Sequence, residues 1–457
     1  MLTNSSTSFK KIAMLSVTAA LLASGLTGTS AVHAEKPVIN SSTPIYGAVS
    51  APAVKPLWSV PLAKFDQYGM SVTSALAEDG RVFALVAGGK LAAYDGTSGK
   101  NLWKYGAGLK PVLAYDQKVV YGLSKDGAIL AIKDNGNKKW AADIHADKAD
   151  SIQPIGDTIY VTQNLTLFAL ERETGKLRWK KTETDGSYSS GLTDILVSDG
   201  VVLRSYNVQG ALSSNQINAY DVKTGKQLWT SFRQQSPLVV KEGLVYSVMD
   251  LFMIGEEDSV KKSLHIAVIN LKTGVKKGER VYKWTAQPEV IGQYQFGGAH
   301  GSAFLDGEDL YIYQDQAVAK YNFSAYSKDG KAIQRWNAPN PRDYQPLYNV
   351  HEGRLLYQNL HDRSILALKT INGQTIQFPA GIQPVQTDLY GNGLFVARAD
   401  GTLDAYDFTA SKPVFSVKTG FRDFNPTLKS GNMIYIRSGG ILSAVKLPVG
   451  MAASIGK

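Results

Sequence analysis

The stretch "AYDGTSGKNLW", from Ala93 to Trp103, returns along the chain in closely related forms. Two of them are "ALERETGKLRW" at 169–179 and "AYDVKTGKQLW" at 219–229. Each copy begins with alanine, carries an SGK or TGK turn in the middle and ends in tryptophan at the eleventh position. Self-similarity at a period of roughly 20–50 residues indicates an array, a solenoid or a propeller.

Around these copies, each repeat unit has the pattern of a small antiparallel sheet. Alternating apolar residues follow a Gly or Asp, as in "GRVFALVA" at 80–87 and "GNMIYIRS" at 431–438. Such alternation is typical of half-buried strands, and the Gly-bearing turns that follow are typical of hairpins. A small apolar third strand, a second turn and a strand ending in an aromatic residue complete the unit. We therefore predict four antiparallel strands per unit.

The tryptophans support this division of the chain into units. We place each of them at the end of a unit, with Phe378 and Phe415 taking that position in the last two complete units. An aromatic residue that recurs at each boundary is expected to be buried between neighbouring sheets. We therefore predict a structural, unit-docking role for Trp58, Trp103, Trp140, Trp179, Trp229, Trp284 and Trp336.

The two ends of the repeat region complement each other. The segment "PLWSVPL" at 56–62 is an aromatic strand without its predecessors, and the last unit, at 432–448, stops before its aromatic strand. Joining them would complete one sheet and close a ring. We predict an all-β fold: a single closed β-propeller of four-stranded antiparallel blades, with the N- and C-terminal strands latched in one blade. Propellers typically have about four to eight blades, so eight are expected. Counting third strands instead gives nine units, so a ring of eight blades would mean that one unit in the long middle region is misread.

The repeats resemble the pyrroloquinoline-quinone-like (PQQ-like) propeller repeat family, whose blade motif is Ala-x-Asp-x-x-Thr-Gly-Lys-x-x-Trp. The stretch at 219–229 matches this motif, the one at 93–103 matches with Ser98 in place of Thr, and the one at 169–179 matches with Glu171 in place of Asp. The family includes quinoprotein dehydrogenases and non-enzymatic scaffolds that resemble the outer-membrane assembly lipoprotein BamB. The dehydrogenases typically carry an adjacent cysteine pair over the quinone, and this chain has no cysteine. The resemblance therefore implies the BamB-like, non-enzymatic branch, without the lipid-carrying cysteine of BamB.

The N-terminus has the pattern of an exported signal peptide. Lys10 and Lys11 precede the apolar run at 12–23, and "AVHA" at 31–34 provides a cleavage site after Ala34. A membrane anchor is the alternative, but the run is short for a spanning helix. We predict a secreted or envelope-associated chain divided into a signal peptide at 1–34, a flexible leader at 35–55, the propeller at 56–448 and a tail at 449–457.

Composition narrows the classes of partner. The predicted signal peptide contributes two lysines and no acidic residue, so the remaining chain has 47 basic and 39 acidic residues, a net charge of +8. This excess fits loose attraction to an anionic envelope polymer or to lipid headgroups. Basic runs with interleaved aromatic residues are absent, so we expect no nucleic-acid partner. We expect no transmembrane segment after the signal peptide, and a monomer.

No motif of catalysis or metal binding stands out in the sequence. The chain has no HExxH spacing, no Asp-x-Asp-x-Asp-Gly loop, no Gly-x-Ser-x-Gly elbow and no phosphate loop. We therefore expect no catalytic residue, no metal and no cofactor. An extracellular enzyme, as a divergent quinoprotein or a polysaccharide-active propeller, is the alternative.

The middle units carry extra residues, and repeat proteins often place insertions where they bind. The insertions are 207–215, 250–262, 293–302 and 338–348. If each unit runs four strands outward, all four insertions belong to one face of the ring. Exposed aromatic residues with an arginine are typical of interaction hot spots; neutral loop drift is the competing explanation. The predicted binding residues are Phe252, Tyr294, Phe296, His300, Arg342 and Tyr344, for a protein partner or an envelope polymer.

Overall fold

The computed structural model describes residues 40–41, 51–65, 73–210, 213–250, 261–285, 289–291, 294–296, 301–314, 316–328, 330–378 and 384–452. This part of the chain consists of strands and tight turns, with a single short helix, α1 (Val449–Ala452). The predicted signal peptide lies outside it. No helix in the described ranges is long and apolar enough to cross a membrane.

The strands form nine four-stranded antiparallel blades, each running outward in chain order. Two short strands come first, β1 (Asn40–Ser41) and β2 (Trp58–Pro61). Blade 1 contains β3 (Ala75–Glu78), β4 (Arg81–Val86), β5 (Lys90–Asp95) and β6 (Asn101–Tyr105). Blade 2 contains β7 (Leu109–Asp116), β8 (Val119–Ser124), β9 (Ala128–Lys133) and β10 (Lys138–Asp143). Blade 3 contains β11 (Ser151–Ile155), β12 (Thr158–Gln163), β13 (Thr166–Glu171) and β14 (Leu177–Thr182).

The middle blades have the longest strands. Blade 4 contains β15 (Tyr188–Ser198), β16 (Val201–Val208), β17 (Ser214–Asp221) and β18 (Gln227–Phe232). Blade 5 contains β19 (Gln234–Lys241), β20 (Leu244–Met249), β21 (Lys261–Asn270) and β22 (Lys276–Thr285). A two-stranded hairpin, β23 (Glu289–Ile291) and β24 (Tyr294–Phe296), follows. Blade 6 contains β25 (Ser302–Asp306), β26 (Asp309–Gln314), β27 (Ala317–Asn322) and β28 (Gln334–Asn337).

Three blades complete the ring. Blade 7 contains β29 (Tyr344–His351), β30 (Arg354–Asn359), β31 (Ile365–Lys369) and β32 (Thr375–Phe378). Blade 8 contains β33 (Pro384–Tyr390), β34 (Gly393–Arg398), β35 (Thr402–Asp407) and β36 (Lys412–Lys418). Blade 9 contains β37 (Phe424–Ser430), β38 (Met433–Ser438) and β39 (Ile441–Lys446), with β2 as its fourth strand. The count of nine units is confirmed, and the usual upper limit of eight blades is exceeded.

The ring closes through strand pairing and through packing. Strand β2 pairs antiparallel with β39, with Trp58 opposite Ala444, so the latch between the chain ends is confirmed. The buried apolar residues form nine clusters, and each cluster joins two neighbouring blades in an unbroken cycle. The first strands of neighbouring blades approach one another, as β3 does with β7 and with β37, so the first strands surround the axis.

The repeated motif is explained by contacts between blades. Trp179 ends blade 3, and its indole Nε1 donates to the carbonyl of Val222 in blade 4 at 3.0 Å. A Cβ added to Gly225 in the TGK turn of blade 4 would lie 2.5 Å from the indole Cδ2 of Trp179. The glycine of each motif therefore makes room for the tryptophan of the preceding blade, and its positive φ of 73° at Gly175 or 67° at Gly225 suits the same residue type.

Six of the seven tryptophans dock in this way. Each indole Nε1 donates to a backbone carbonyl in the next blade, at 2.7–3.1 Å. The pairs are Trp58 with Gly96, Trp103 with Asp134, Trp140 with Arg172, Trp179 with Val222, Trp229 with Leu271 and Trp336 with Thr370. These bonds satisfy the indole N–H in a buried setting, where an unpaired donor would cost free energy.

The acidic residue of the motif stabilises the turn itself. Oδ1 of Asp221 accepts hydrogen bonds from the amide (2.8 Å) and the hydroxyl (2.8 Å) of Thr224. These bonds favour the charged carboxylate and lower the pKa of Asp221. Asp95 with Ser98 and Asn270 with Thr273 repeat the arrangement.

Trp284 is buried between blades 5 and 6, as we predicted, but it docks differently from the other six tryptophans. In blade 5 the residue at the eleventh position of the motif is Gly278, which lies opposite Val268, whereas Trp284 lies opposite Lys262. Trp284 is six residues further along the elongated strand β22 and packs close to Gly301, at the start of blade 6. The extra length of β22 carries Trp284 past the position at which the other indoles donate to the next blade.

Arg280 takes the hydrogen-bonding role of the docking tryptophan between blades 5 and 6. Its guanidinium donates to the carbonyl of Phe323 at 2.5 Å, at the position that accepts the indole N–H elsewhere. The guanidinium carbon lies 4.4 Å from the ring centroid of Phe323 and 4.6 Å from that of Tyr246. A planar cation can replace an indole here because it both donates and stacks on aromatic rings.

The last two boundaries use phenylalanine. Phe378 stacks on Phe408 of blade 8, with ring centroids 5.2 Å apart. Phe415 belongs to the cluster between blades 8 and 9, together with Met451 of helix α1. Met451 is 2% exposed, so the segment that we predicted as a tail contributes part of the core.

Candidate functional site: the insertion face

Strand alternation gives the propeller two faces. We call the face with the turns between first and second strands and between third and fourth strands the turn face. The second-to-third hairpins and the connections between blades lie on the other face, the insertion face. Backbone bonds join these two kinds of segment, for example from Leu109 N to Gly89 O at 2.9 Å. The predicted insertions therefore all belong to the insertion face of blades 4–7.

The structure describes the six predicted binding residues in different degrees of detail. Arg342 is exposed in the connection between blades 6 and 7, and Tyr344 is half-buried at the start of β29. Tyr294 and Phe296 lie in β24, in the connection between blades 5 and 6, where the structure describes the backbone alone. Phe252 and His300 lie outside the described residues. Arg342 and Tyr344 are thus the two predicted side chains that can be placed together.

The connection that carries Arg342 is held firmly. The carbonyl of Asn340 accepts hydrogen bonds from the amides of Asp343 (3.0 Å) and Tyr344 (2.9 Å). The carbonyl of Asp343 accepts from Leu360 N at 2.7 Å, and its carboxylate lies 3.1 Å from Nε2 of His361. These contacts brace the connection against the hairpin between β30 and β31. The backbone that presents Arg342 is therefore fixed, which reduces the entropy lost on binding.

A buried polar network supports the insertion face between blades 3 and 4, and sequence analysis missed it. The hydroxyl groups of Tyr206 and Tyr220 lie 2.9 Å apart, and that of Tyr220 donates to Glu183 Oε1 at 2.5 Å. Arg204, which is 1% exposed, donates to the carbonyl of Leu192 at 2.9 Å. Burial raises the pKa of Tyr206 above its ordinary value. Hydrogen-bonded networks of this kind rigidify a structure when all their polar groups are satisfied. The signal in the sequence that could have predicted this network was arginine and tyrosine at strand positions that face inward.

The elongated strands of blade 5 carry a second polar group. Ser263 Oγ lies 2.9 Å from Nε2 of His265, and Nδ1 of His265 contacts the carboxylate of Glu279. Lys276 also pairs with Glu279, and this contact is the main cause that lowers the pKa of Glu279. The order hydroxyl, imidazole, carboxylate is that of an activated nucleophile with its base and orienting acid.

A cavity of about 410 Å³ opens where the ring closes, between blades 9 and 1. Its lining includes Asp79, Thr97 and Tyr435. Gly96 lies beside it at a position where blade 5 has Leu271 and blade 8 has Phe408, both fully buried. A Cβ at Gly96 would lie 2.4 Å from the hydroxyl of Tyr435, so glycine at this position lets Tyr435 approach the seam. No group of three or more His, Asp or Glu residues within the described part of the chain could hold a metal ion.

The nine docked blades, the repeated motif and the latched ends define the chain as a PQQ-like β-propeller. Residues 45–183 and 155–377 match the family model described as "Outer membrane protein assembly factor BamB". The chain belongs to that family.

Two curated proteins match parts of the chain. Lupanine 17-hydroxylase [cytochrome c] from a Pseudomonas species is 27% identical over 160 residues, 35% of this chain and 20% of that protein. Tetrathionate hydrolase from Acidithiobacillus ferrooxidans is 27% identical over 151 residues, 30% of this chain and 30% of that protein. The matched segments thus span less than a third of either relative.

Solved structures align with the chain at low sequence identity. BamB from Moraxella catarrhalis aligns over 86% of this chain and 99% of its own, with 14% identity and a TM-score of 0.47. A europium-containing methanol dehydrogenase aligns over 84% of both chains, with 12% identity and a TM-score of 0.40.

Proposed function

We propose that this protein is a secreted, non-enzymatic scaffold that binds a protein partner at the cell envelope through the insertion face of blades 4–7. Membership in a family described as an assembly factor supports a protein-binding role. The observation that carries the choice of face is the concentration of all four long insertions on it.

The described side chains of the insertion face suit protein recognition. Phe232, at the end of blade 4, is 50% exposed, and Arg342 is exposed in the braced connection before blade 7. Aromatic and arginine side chains on a rigid support are the groups that contribute most energy in protein interfaces. Phe252, Tyr294, Phe296, His300 and Tyr344 complete the proposed surface.

Capture by crosslinking from native envelope tests the proposal. The bait is the chain from residue 35, compared with a variant carrying Phe232→Asp and Arg342→Glu on the insertion face. A matched control carries Val275→Asp and Ile371→Glu, which are 53% and 86% exposed in third-to-fourth turns of the turn face. We expect discrete proteins to be captured by the unmodified bait and the control, and to be lost with the insertion-face variant.

An envelope polymer is the competing partner. Attraction to an anionic polymer would arise from the net positive charge and would fall steeply with salt. Retention of polymer alone, equal for all three baits and removed by salt, would contradict the proposal.

A hydrolase is the second candidate function, and the arrangement of Ser263, His265 and Glu279 favours it. Labelling with a fluorophosphonate probe would test this activity. Labelling that disappears in Ser263→Ala and persists in the control Ser443→Ala would favour the hydrolase. If the unmodified chain is labelled no more strongly than Ser263→Ala, the hydrolase is ruled out as a candidate function.

A further inference from the structure

The inner edge of blade 8 carries an additional strand. Within its own blade, the first strand of a propeller blade pairs on its outer side alone, so its other backbone edge borders the central channel. Strand β33 has a partner there: β1 pairs with it antiparallel, with Asn40 opposite Asp388 and Ser41 opposite Thr387. Blade 8 is therefore a five-stranded sheet.

Strand β33 also carries buried polar side chains. Every residue of β29, the first strand of blade 7, is half-buried. In β33, by contrast, Gln386 is 3% exposed, and Thr387 and Asp388 are fully buried. Lys429 in the neighbouring strand β37 is 3% exposed. Asp388 reaches this burial against blade 9, where the amide and the hydroxyl of Thr427 donate to its carboxylate at 2.7 and 2.8 Å.

The same N-terminal segment also holds the outer edge of blade 8. The amide of Val54 donates to the carbonyl of Ser416 in β36 at 2.8 Å, and the amide of Ser416 donates to the carbonyl of Pro52 at 2.8 Å. The chain then enters β2, which completes blade 9. The N-terminal segment is thus fixed outside the ring on one side of blade 8 and paired inside the channel on the other.

We propose that the channel-facing edge of β33 is a strand-addition site for an extended peptide, and that residues 35–50 of this chain are its occupant. An open strand edge offers a row of backbone donors and acceptors to any extended segment. Tethering through residues 51–54 keeps the local concentration of the segment in the millimolar range, so it excludes weak competitors. This site lies in the channel, and the proposal does not depend on the insertion face.

Peptide binding in trans tests the proposal. The probe is a fluorescent synthetic peptide of residues 35–50, titrated by anisotropy into a chain that begins at residue 51 and into the chain that begins at residue 35. We expect saturable binding to the shorter chain and at least tenfold weaker binding to the longer one. A control peptide with Asn40→Pro and Ser41→Pro lacks the backbone donors at the paired positions and should bind at least tenfold more weakly.

A variant of the longer chain keeps the test valid if the shorter chain does not fold. The longer chain with Asn40→Pro and Ser41→Pro should bind the unmodified peptide, and its β33 amides should exchange hydrogen at least tenfold faster than in the unmodified chain. Absence of peptide binding to both altered chains would overturn the proposal. The proposal would also fail if the proline-containing peptide bound the shorter chain as tightly as the unmodified peptide does. It would fail as well if the unmodified peptide bound equally to the chains that begin at residues 51 and 35.

Discussion

A Cβ at Gly225 would lie 2.5 Å from the indole of Trp179, although the two residues belong to different blades. The glycine and the tryptophan of one motif therefore serve two different boundaries. Gly225 receives the tryptophan of blade 3, whereas Trp229 of the same copy docks against Gly274 in blade 5.

A double-mutant cycle measures this relationship. We expect Trp179→Ala to lower the free energy of unfolding by about 3–5 kcal/mol through loss of buried aromatic packing. Gly225→Ala should destabilise by about 1–3 kcal/mol, and the double variant should lose less than the sum because the clash disappears with the indole. Urea unfolding of the three variants gives these values.

The control for this cycle is Gly243→Ala. Gly243 has a φ of 72°, close to the 67° of Gly225, but a Cβ there would have no neighbour within 4 Å. It therefore reports the backbone cost alone. Equal losses at the two glycines, or strict additivity in the cycle, would contradict the docking explanation.

Arg280 should behave as the docking residue between blades 5 and 6. Arg280→Met removes both the hydrogen bond to Phe323 O and the cation–π contacts, and we expect a loss of about 1–3 kcal/mol. Lys283→Met, on the same strand and exposed, should change stability by less than about 0.5 kcal/mol. Thermal unfolding compares the two variants; similar midpoints would show that Arg280 does not hold the boundary.

Trp58 should control the closure of the ring. It pairs opposite Ala444 in blade 9 and donates to Gly96 and Thr97 in blade 1, both at 3.1 Å. We expect Trp58→Ala to cost about 3–5 kcal/mol. The adjacent Leu57 is 57% exposed, so Leu57→Ala is the matched control and should be nearly neutral. Loss of stability in both variants alike would contradict the latch.

Stability should fall as pH rises through the titration range of Asp388. Burial raises the pKa of this carboxyl from 3.8 to about 6, although Thr427 and Gln386 donate hydrogen bonds to it. Between about pH 4 and pH 6 the folded chain therefore binds more protons than the unfolded chain, and the free energy of unfolding falls by at most about 1.4 kcal/mol for each pH unit. The contribution of protonated Asp388 to the free energy of unfolding is present near pH 4 and is lost by pH 7.

Urea unfolding at pH 4.5, 6.0 and 7.5 measures this dependence. Asp388→Asn should have a flatter profile than the unmodified chain. Asp404, whose pKa burial also raises to about 6, contributes with the same sign and remains in that variant. A profile that is unchanged by Asp388→Asn would contradict the assignment.

Local periodicity alone was enough to predict the repeat, the four-stranded blades and the closure. It also gave the count of nine units, but the usual range of blade numbers led us to expect eight, and the structure shows that the count was right. Each of these features depends on residues at fixed spacing, so none of them required contact information. The motif also identified the tryptophans of six boundaries, because the distance from turn to indole is constant wherever the third-to-fourth turn keeps its length. Trp284 failed this rule because β22 is longer than the other fourth strands.

The partners of these aromatic residues, and the other groups that meet across blade boundaries, became known from the tertiary structure and not before it. Arg280 replaces an indole because Phe323 and Tyr246, which are distant in sequence, form an aromatic site around it. The network of Glu183, Tyr220 and Arg204 and the pairing of Asn40 with the inner edge of blade 8 likewise join residues that no spacing rule connects. Periodicity specifies what one blade looks like, but contacts between blades depend on the side chains that the closed ring brings together.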